Sequence, residues 1–320
     1  MENHIKIFSG NAHRPLAEKI AARVGIPLSV ASIGRFPDGE ISVTYEETVR
    51  GRDVFIVQPT GMQPNEFLME LLIMADAARR ASAKRITAVV PFFAYARQDR
   101  KDRSRVPISA KLVANLLVAA GVNRVLTVDL HSPQIQGFFD IPVDHLYAAP
   151  LMVRYLREKL PAENRVVVAP DPGGLKMAYS YSQLLGAGLA LAGKHRTSAT
   201  EVEALELVGD VKGKDCVLTD DMTTTAGTLC SAAKLAKEHG ARSVRAVVSH
   251  CPITPLGIQR LKESAIEELI TTDTILPQAG WNGYAITILT VADLLGDAIK
   301  RIYGDESVSK LFEIHQGRTQ

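Results

Sequence analysis

The stretch VLTDDMTTTAGT, residues 217–228, contains the transition that decides the fold. It opens with the end of an apolar run, and two carboxylates, Asp220 and Asp221, follow. Small Thr, Ala and Gly residues then lead into a helical stretch that begins near Leu229. A strand that passes through a short loop into a helix is the repeating unit of α/β folds, whose ligands bind at the carboxyl ends of the strands. We therefore expect a ligand site at this loop.

The composition of this loop favours a phosphorylated sugar as its ligand. Small residues let backbone N–H groups approach an anion, hydroxyl groups add donors, and the helix N-terminus contributes positive potential. An acidic residue near a phosphate loop commonly binds ribose hydroxyls, so Asp220 and Asp221 suit a sugar. The plainer alternative is an ordinary helix N-cap preceded by exposed acids.

The same alternation of strand and helix continues along most of the chain. Apolar, β-branched runs predict strands at Ile5–Phe8, Val54–Val57, Ile86–Val90, Val125–Val128, Val166–Ala169, Leu189–Ala192, Cys216–Leu218 and Val244–Val248. Amphipathic stretches predict helices at Glu66–Ala81, Ala110–Ala120, Leu151–Lys159, Leu229–His239 and Val291–Ile302. Because the strands are continuously apolar, we expect parallel sheets covered on both faces. The predicted fold class is α/β, with two doubly wound domains and mainly parallel sheets.

An internal comparison indicates that the two domains are duplicates. A shift of 119 residues places Pro107–His131 on Ala226–His250 without a gap. Identical residues then coincide at Ala114, Leu116, Gly121, Val125, Val128 and His131. Ser109 meets Thr228, so each segment is predicted to contain a capped helix, a glycine stop and a strand. The alternative is two unrelated helix–strand units that share common residues.

Length and composition set further limits. With 320 residues the chain is long enough for two domains, which we place at 1–148 and 149–320, with the C-terminal tail packing on the first. A net charge of +2 argues against nucleic acid as a partner. The three cysteines, Cys216, Cys230 and Cys251, are odd in number and mostly far apart, which favours reduced thiols in the cytoplasm. No apolar run reaches the roughly 18 residues of a membrane span.

Several motifs resemble one family, in the same order along the chain. They are Gly34–Glu40 (GRFPDGE), Tyr95–Asp99 (YARQD), Ser104–Lys111 (SRVPISAK), Val128–Phe139 (VDLHSPQIQGFF), Asp171–Gly174 (DPGG) and the loop at 217–228. The chain resembles the ribose-phosphate pyrophosphokinases, relatives of the type I phosphoribosyltransferases, from Phe8 to Ser309. The resemblance implies transfer of the β,γ-pyrophosphoryl group of Mg–ATP to the 1-hydroxyl of ribose 5-phosphate, with release of AMP. The product would supply nucleotide, His, Trp and NAD biosynthesis.

The resemblance also implies roles for particular residues. ATP is expected to contact Phe36, Asp38, Gly39, Glu40, Arg97, Gln98 and Asp99. Ribose 5-phosphate is expected to contact Arg196, Asp220, Asp221, Thr224, Thr225, Ala226, Gly227 and Thr228. Lys194 and Arg196 are the expected catalytic residues, and His131 and Asp171 are the expected ligands of Mg²⁺. The implied assembly is a homo-oligomer, a hexamer of dimers with sites shared between subunits, regulated by phosphate or ADP through a loop that includes Arg103, Ser104 and Arg105.

The residues themselves leave plainer interpretations open. Gly34–Glu40 presents an aromatic ring and carboxylates that suit a base, but it is also an ordinary polar turn. Arg97–Arg105 is either a polyphosphate-binding segment or a solvated loop, and a lone His131 is often a structural residue. Gly188–His195 nearly matches a phosphate-binding P-loop, but His195 replaces the required hydroxyl and the preceding residues are predicted to be strand.

The chain departs from the family pattern at three places. Thr224 stands where the family commonly has Asp, Ala199 and Thr200 stand where Ala-Asn is common, and Met177 lies where a basic residue is common. Thr224 keeps a hydrogen-bonding group but loses a charge. We expect retained activity with an altered affinity for the sugar. The alternatives are a phosphoribosyltransferase and a weakly active regulatory homologue associated with a true synthase.

Overall fold

The computed structural model describes residues 4–195, 204–278 and 283–311. Within them the chain forms two compact units, each containing its own largely parallel sheet. Unit 1 comprises the described residues of Met1–Tyr147, Thr274–Leu276 and Thr290–Gln320, and unit 2 those of Ala148–Asp273 and Pro277–Leu289. The predicted α/β fold class with mainly parallel sheets is confirmed.

The elements follow one another in a regular alternation. From the N-terminus they are β1 (Ile5–Ser9), α1 (Arg14–Val24), β2 (Ala31–Arg35), β3 (Ile41–Tyr45), β4 (Asp53–Val57), α2 (Pro64–Arg80), β5 (Arg85–Val90), α3 (Ser109–Ala120), β6 (Arg124–Val128) and β7 (Val143–Leu146). They continue with α4 (Ala149–Lys159), β8 (Arg165–Ala169), α5 (Leu175–Leu185), β9 (Gly188–His195), β10 (Ala204–Val208), β11 (Asp215–Met222), α6 (Gly227–Glu238), β12 (Ser243–His250), α7 (Pro255–Lys262), β13 (Glu268–Thr272), β14 (Ile286–Leu289) and α8 (Ala292–Tyr303).

The sheet of unit 1 is parallel and has the order β1-β4-β5-β6-β7. Every residue of β4 is buried, and apolar side chains of α2 and α3 join those of the strands in one core. Continuous burial of this kind is expected when parallel strands are covered on both faces. The strands follow chain order across the sheet, so this unit has no reversal of strand order among its described strands.

A separate antiparallel hairpin, β2–β3, packs beside α2. Its register pairs Ala31 with Tyr45 and Arg35 with Ile41, which leaves the five residues 36–40 as the turn. The Tyr45 hydroxyl donates to the Met74 carbonyl of α2 at 2.8 Å. This contact fixes the base of the hairpin to the unit, while its turn extends outward.

The sheet of unit 2 has the order β10-β9-β8-β11-β12-β13-β14, and only β10 is antiparallel to its neighbour. From β8 the chain moves to β9 on one side, and later returns to β11 on the other side of β8. Strand order therefore reverses between β8 and β11. In open parallel sheets the carboxyl ends of strands at such a point form the ligand-binding crevice.

Unit 1 also takes in the end of the chain, because α8 packs against α1. Arg23 donates to the two carboxylate oxygens of Asp297 at 2.9 and 2.7 Å. A Cβ on Gly296 would lie 2.5 Å from Cγ of Arg23, so the two helices approach closely at this glycine. In the described ranges no helix combines the length and apolar character needed to cross a membrane.

The two segments that the internal comparison aligned each form a helix followed by a strand, α3–β6 and α6–β12. The prediction that Ser109 and Thr228 cap these helices is wrong. The N-cap residues are Ile108 and Ala226, and neither makes a side-chain cap hydrogen bond. Both helices begin earlier than the apolar pattern indicated, so Ser109 is the first helical residue of α3 and not its cap. Its hydroxyl donates to the side chain of Gln98.

Candidate functional site

The acidic pair lies at the carboxyl end of β11, at the reversal point of unit 2. β11 runs parallel to β8 and β12, and its Leu218 is in register with Val168 of β8. Asp220 and Asp221 are both half-buried, and the Asp221 N–H donates to Oδ1 of Asp220 at 2.9 Å. The carboxylates are therefore part of the crevice and are not exposed acids preceding a simple N-cap.

The two carboxylates are electrostatically coupled. Burial, followed by the negative charge of Asp221, raises the pKa of Asp220 to about 8. The charge of Asp171 acts in the same direction. Like charges in a partly desolvated site favour retention of a proton, so near neutral pH this pair can both donate and accept hydrogen bonds. Such a pair suits the adjacent hydroxyl groups of a sugar.

Asp171 lies in the loop that follows β8, the strand adjacent to β11. Its Oδ1 accepts the Gly174 N–H at 3.1 Å, which closes the short turn before α5. Because β8 and β11 are parallel neighbours, the loop carrying Asp171 and the acidic pair lie at the same edge of the sheet. This edge of unit 2 therefore carries three carboxylates.

The loop between β11 and α6 provides backbone donors beside these acids. The Thr223 N–H donates to the His250 carbonyl at 3.1 Å, which ends the strand. Ala226 has φ of 54°, in the left-handed region that non-glycine residues rarely adopt, and α6 begins at Gly227. The first N–H groups of a helix have no intrahelical partner, so this helix start suits an anion. The loop thus places N–H donors that suit an anion next to carboxylates that can accept hydrogen bonds from a sugar.

Of the two catalytic residues predicted from the sequence, Lys194 lies near the end of a strand of unit 2. β9 extends over Gly188–His195 and pairs Lys194 with Leu205 of β10, so the near match to a P-loop is a strand. Only the backbone of Lys194 is described. Arg196 and Thr200 lie outside the described residues.

The turn predicted to bind adenine is the exposed end of the β2–β3 hairpin. Phe36 N–H donates to the Glu40 carbonyl at 2.8 Å, and Gly39 N–H donates to the Phe36 carbonyl at 2.8 Å. The Glu40 N–H donates to Oδ1 of Asp38 at 3.2 Å. Arg35 donates to the Gly39 carbonyl at 2.8 Å and forms an ion pair with Glu66 of α2.

This turn therefore has a defined conformation in which Phe36 is 54% exposed. The hairpin brings Phe36, Asp38, Gly39 and Glu40 together, as the sequence predicts. An exposed aromatic ring on a hydrogen-bonded turn is available to stack on a base. All four residues belong to unit 1.

A cavity of about 590 Å³ in unit 1 contains the other residues predicted to bind ATP. It is lined by Arg97, Gln98, Asp99, Arg100, Asp102, Arg103, Val106, Pro107, His131, Ser132, Pro133 and Gln134. The loops after β5 and β6, which are neighbouring strands, supply these residues. The volume is in the range of ligand pockets, and the arginines suit polyphosphate. Sequence reasoning did not assign Ser132, Pro133 and Gln134 to the site, although they directly follow His131.

Thr60 is a further residue that the sequence did not point to. Its Oγ1 donates to the Phe92 carbonyl at 3.0 Å and accepts the Ala94 N–H at 2.8 Å. It thereby joins the loop after β4 to the loop after β5, which carries Arg97 and Gln98. Nothing in the sequence around Thr60 signals this contact.

His131 and Asp171, the expected metal ligands, belong to units 1 and 2 respectively. Across the described part of the chain, no group of three or more His, Cys, Asp or Glu side chains is placed to hold a metal. A carboxylate and an imidazole alone do not form a complete protein cage. Considered singly, the Asp171 carboxylate is the better donor for Mg²⁺, because this ion prefers oxygen and takes most of its ligands from substrate phosphates and water.

The parallel sheets, the acidic pair and the helix start beside it define an α/β protein whose site suits a phosphorylated sugar. Residues 5–121 match the family described as the N-terminal domain of ribose phosphate pyrophosphokinase. Residues 194–313 match the phosphoribosyl synthetase-associated domain. These two matches cover most of the chain.

Individual relatives agree with the family matches. Ribose-phosphate pyrophosphokinase of Clostridium perfringens is 51% identical, over 98% of this chain and 100% of its own length. That of Marinomonas sp. is 50% identical, over 96% of this chain and 98% of its own. The crystal structure of phosphoribosylpyrophosphate synthetase from Mycobacterium smegmatis is similar with a TM-score of 0.90 and 42% identity, over 95% of this chain and 100% of that chain. The chain belongs to the ribose-phosphate pyrophosphokinase family.

Proposed function

We propose that this chain is a ribose-phosphate pyrophosphokinase, an enzyme that transfers the β,γ-pyrophosphoryl group of ATP to the 1-hydroxyl of ribose 5-phosphate. The 1-oxygen of the sugar forms a bond to the β-phosphorus of ATP. The bond from that phosphorus to the α,β-bridging oxygen breaks, AMP leaves, and the hydroxyl proton is released. The product is 5-phosphoribosyl 1-pyrophosphate, a precursor for nucleotide, His, Trp and NAD biosynthesis.

The observation that carries this proposal is the acidic pair beside the start of α6. Asp220 and Asp221 orient the sugar hydroxyls, and the pair can donate and accept because it retains a proton near neutral pH. The loop residues Thr224, Thr225, Ala226, Gly227 and Thr228 bind the 5-phosphate through backbone N–H groups and hydroxyls. Support also comes from relatives at about half identity over nearly the whole chain.

The nucleotide is bound by unit 1 in this proposal. Phe36 stacks on the adenine, while Asp38, Gly39 and Glu40 contact its edge. Arg97, Gln98 and Asp99 bind the polyphosphate from the cavity wall, as the arginine lining suggests.

Mg²⁺ is the proposed metal. His131 and Asp171 each contribute to holding it, and when bound it neutralises charge on the transferring phosphates. Lys194 and Arg196 stabilise charge that develops on the β-phosphate and the departing AMP. Because such transfers depend on positioning and charge neutralisation, these residues need no covalent role.

We propose that the enzyme acts as a homo-oligomer, a hexamer of dimers in which the nucleotide site is shared between subunits. The support is family membership and the exposed position of the Phe36 turn. The same family resemblance is the support for the proposed regulation by phosphate or ADP through the loop that contains Arg103 and Arg105. Free thiols at Cys216, Cys230 and Cys251 favour a reducing compartment such as the cytoplasm.

The deciding experiment measures AMP release from Mg–ATP with and without ribose 5-phosphate. We expect release that depends on the sugar phosphate, and a large loss of kcat with little change in either KM in Lys194→Ala. A phosphoribosyltransferase would instead consume 5-phosphoribosyl 1-pyrophosphate. A regulatory homologue would give no AMP above background. Unchanged kcat in Lys194→Ala would remove that residue from the mechanism.

A further inference from the structure

The start of α7 contacts the loop at 223–228, which joins β11 to α6 in unit 2. The Thr254 N–H donates to the Thr224 carbonyl at 2.9 Å, and Thr254 Oγ1 donates to the same oxygen at 3.1 Å. That hydroxyl also accepts the Gly257 N–H at 3.3 Å, which caps the helix. A single side chain therefore ties the loop to the first turn of α7.

A second contact lies one turn further along the same helix. Nη1 of Arg260 donates to the Thr225 carbonyl at 3.3 Å. Two consecutive carbonyls of the loop, those of Thr224 and Thr225, are thus bound to α7.

These contacts determine which way the loop N–H groups point. In a trans peptide, the carbonyl of one residue and the N–H of the next point in opposite directions. With the carbonyls of Thr224 and Thr225 directed at α7, the N–H groups of Thr225 and Ala226 are directed to the other side of the loop. α7 occupies one side, so an anion can meet these donors only on the opposite one.

Gly257 allows this close approach. A Cβ at this position would lie 2.7 Å from the Thr224 carbonyl oxygen and 2.6 Å from Cγ1 of Ile253. Ile253 is fully buried, so neither neighbour can move without disturbing the loop or the core. A side chain as small as that of alanine would push the Thr224 peptide out of place.

We propose that Thr254 and Gly257 are positioning residues for ribose 5-phosphate, acting by fixing the orientation of the loop amides that bind its phosphate. The proposal rests on the proposed function. It adds Thr254, the N-cap residue of α7, and Gly257 of the first turn of α7, which touch the loop and not the substrate. Neither residue is among the proposed ATP-binding residues, which all belong to unit 1.

The test compares Gly257→Ala and Thr254→Val with Thr254→Ser and Leu256→Ala in the full chain. Thr254→Ser keeps the hydroxyl, and Leu256→Ala changes an exposed residue of the same helix. We expect the KM for ribose 5-phosphate to rise about tenfold in Gly257→Ala and Thr254→Val, the effect of weakening one hydrogen bond to a charged group. The KM for ATP should stay unchanged, and both control variants should resemble the wild type.

Calorimetric titration of each variant with ribose 5-phosphate separates this proposal from the proposed function. A wild type that releases no AMP refutes the function, but weaker sugar-phosphate binding in the two variants still supports the positioning role. An affinity for ribose 5-phosphate equal to that of the wild type in both variants would overturn it. So would equal rises in both KM values, because a general loss of structure does not discriminate between substrates. If Gly257→Ala does not fold, the comparison of Thr254→Val, which keeps the shape of threonine, with Thr254→Ser, which keeps the hydroxyl, decides alone.

Discussion

Removal of one buried hydroxyl in unit 1, by Thr60→Val, should weaken both the fold and ATP binding. Thr60 is 4% exposed, and its Oγ1 both accepts the Ala94 N–H and donates to the Phe92 carbonyl. The Phe92 carbonyl retains a second donor, the Thr60 N–H at 3.0 Å. The loss therefore falls mainly on the Ala94 N–H, which lies in a buried segment.

The expected magnitude follows from that single orphaned donor. A buried N–H left without its hydrogen bond costs about 1–3 kcal/mol, and valine keeps the shape of threonine, so no cavity adds to this. Urea unfolding followed by circular dichroism should give a free energy of unfolding lower by about this amount in Thr60→Val. Thr60→Ser is the matched control, because it keeps the hydroxyl, and it should lie much closer to the wild type.

The same substitution should raise the KM for ATP and leave the KM for ribose 5-phosphate nearly unchanged. Ala94 leads directly to Tyr95, which has φ of 64°, and then to Arg97 in the cavity wall. A free energy of unfolding within about 0.5 kcal/mol of the wild type, the range of an ordinary surface substitution, would refute the argument from the orphaned donor. A loss of stability without any change in the KM for ATP would refute the link from Thr60 to Arg97.

Three further substitutions probe the proposed site. Phe36→Ala should weaken ATP binding by about 1–3 kcal/mol, by analogy with other base-stacking contacts, and spare ribose 5-phosphate; normal nucleotide affinity in calorimetry would remove the turn from the site. Thr224→Asp should change the KM for ribose 5-phosphate in either direction, because a carboxylate accepts from a sugar hydroxyl but repels the phosphate. An active wild type that is indifferent to this change in both KM and kcat would contradict the position assigned to residue 224. Asp220→Asn should reduce the pH dependence of stability. The raised pKa means that the folded state binds more protons than the unfolded state between about pH 4 and 8, so wild-type stability falls as pH rises through that window, by at most about 1.4 kcal/mol per pH unit. Urea unfolding at a series of pH values checks this: a free energy of unfolding that changes equally with pH in the variant and the wild type would refute the raised pKa.

Much of the strand and helix pattern can be predicted from the sequence because the parallel strands are uniformly apolar. Val54–Val57 and Val166–Ala169 are such runs, and both are buried strands in the structure. The β2–β3 hairpin has no such signal. Its residues Ala31–Arg35 are half-buried or exposed, since they lie outside both parallel sheets and pack on one side only.

The part of the candidate site that is formed by residues adjacent in the chain can be predicted from the sequence. Asp220, Asp221 and the loop at 223–228 form one continuous segment, and their grouping needs no long-range contact. The cavity beside Arg97 is different, because its wall comes from two loops that meet only when β5 and β6 pair.

The sequence alone determined the α/β class, the acidic loop and the family, because hydrophobic runs and contiguous motifs are properties of the chain itself. Tertiary structure decided that Asp171 reaches the edge that carries Asp220 and that Thr254 contacts the loop at Thr224. Each of these depends on contact between residues far apart in sequence. Strand order and helix packing create such contacts, and no local pattern of residues encodes them.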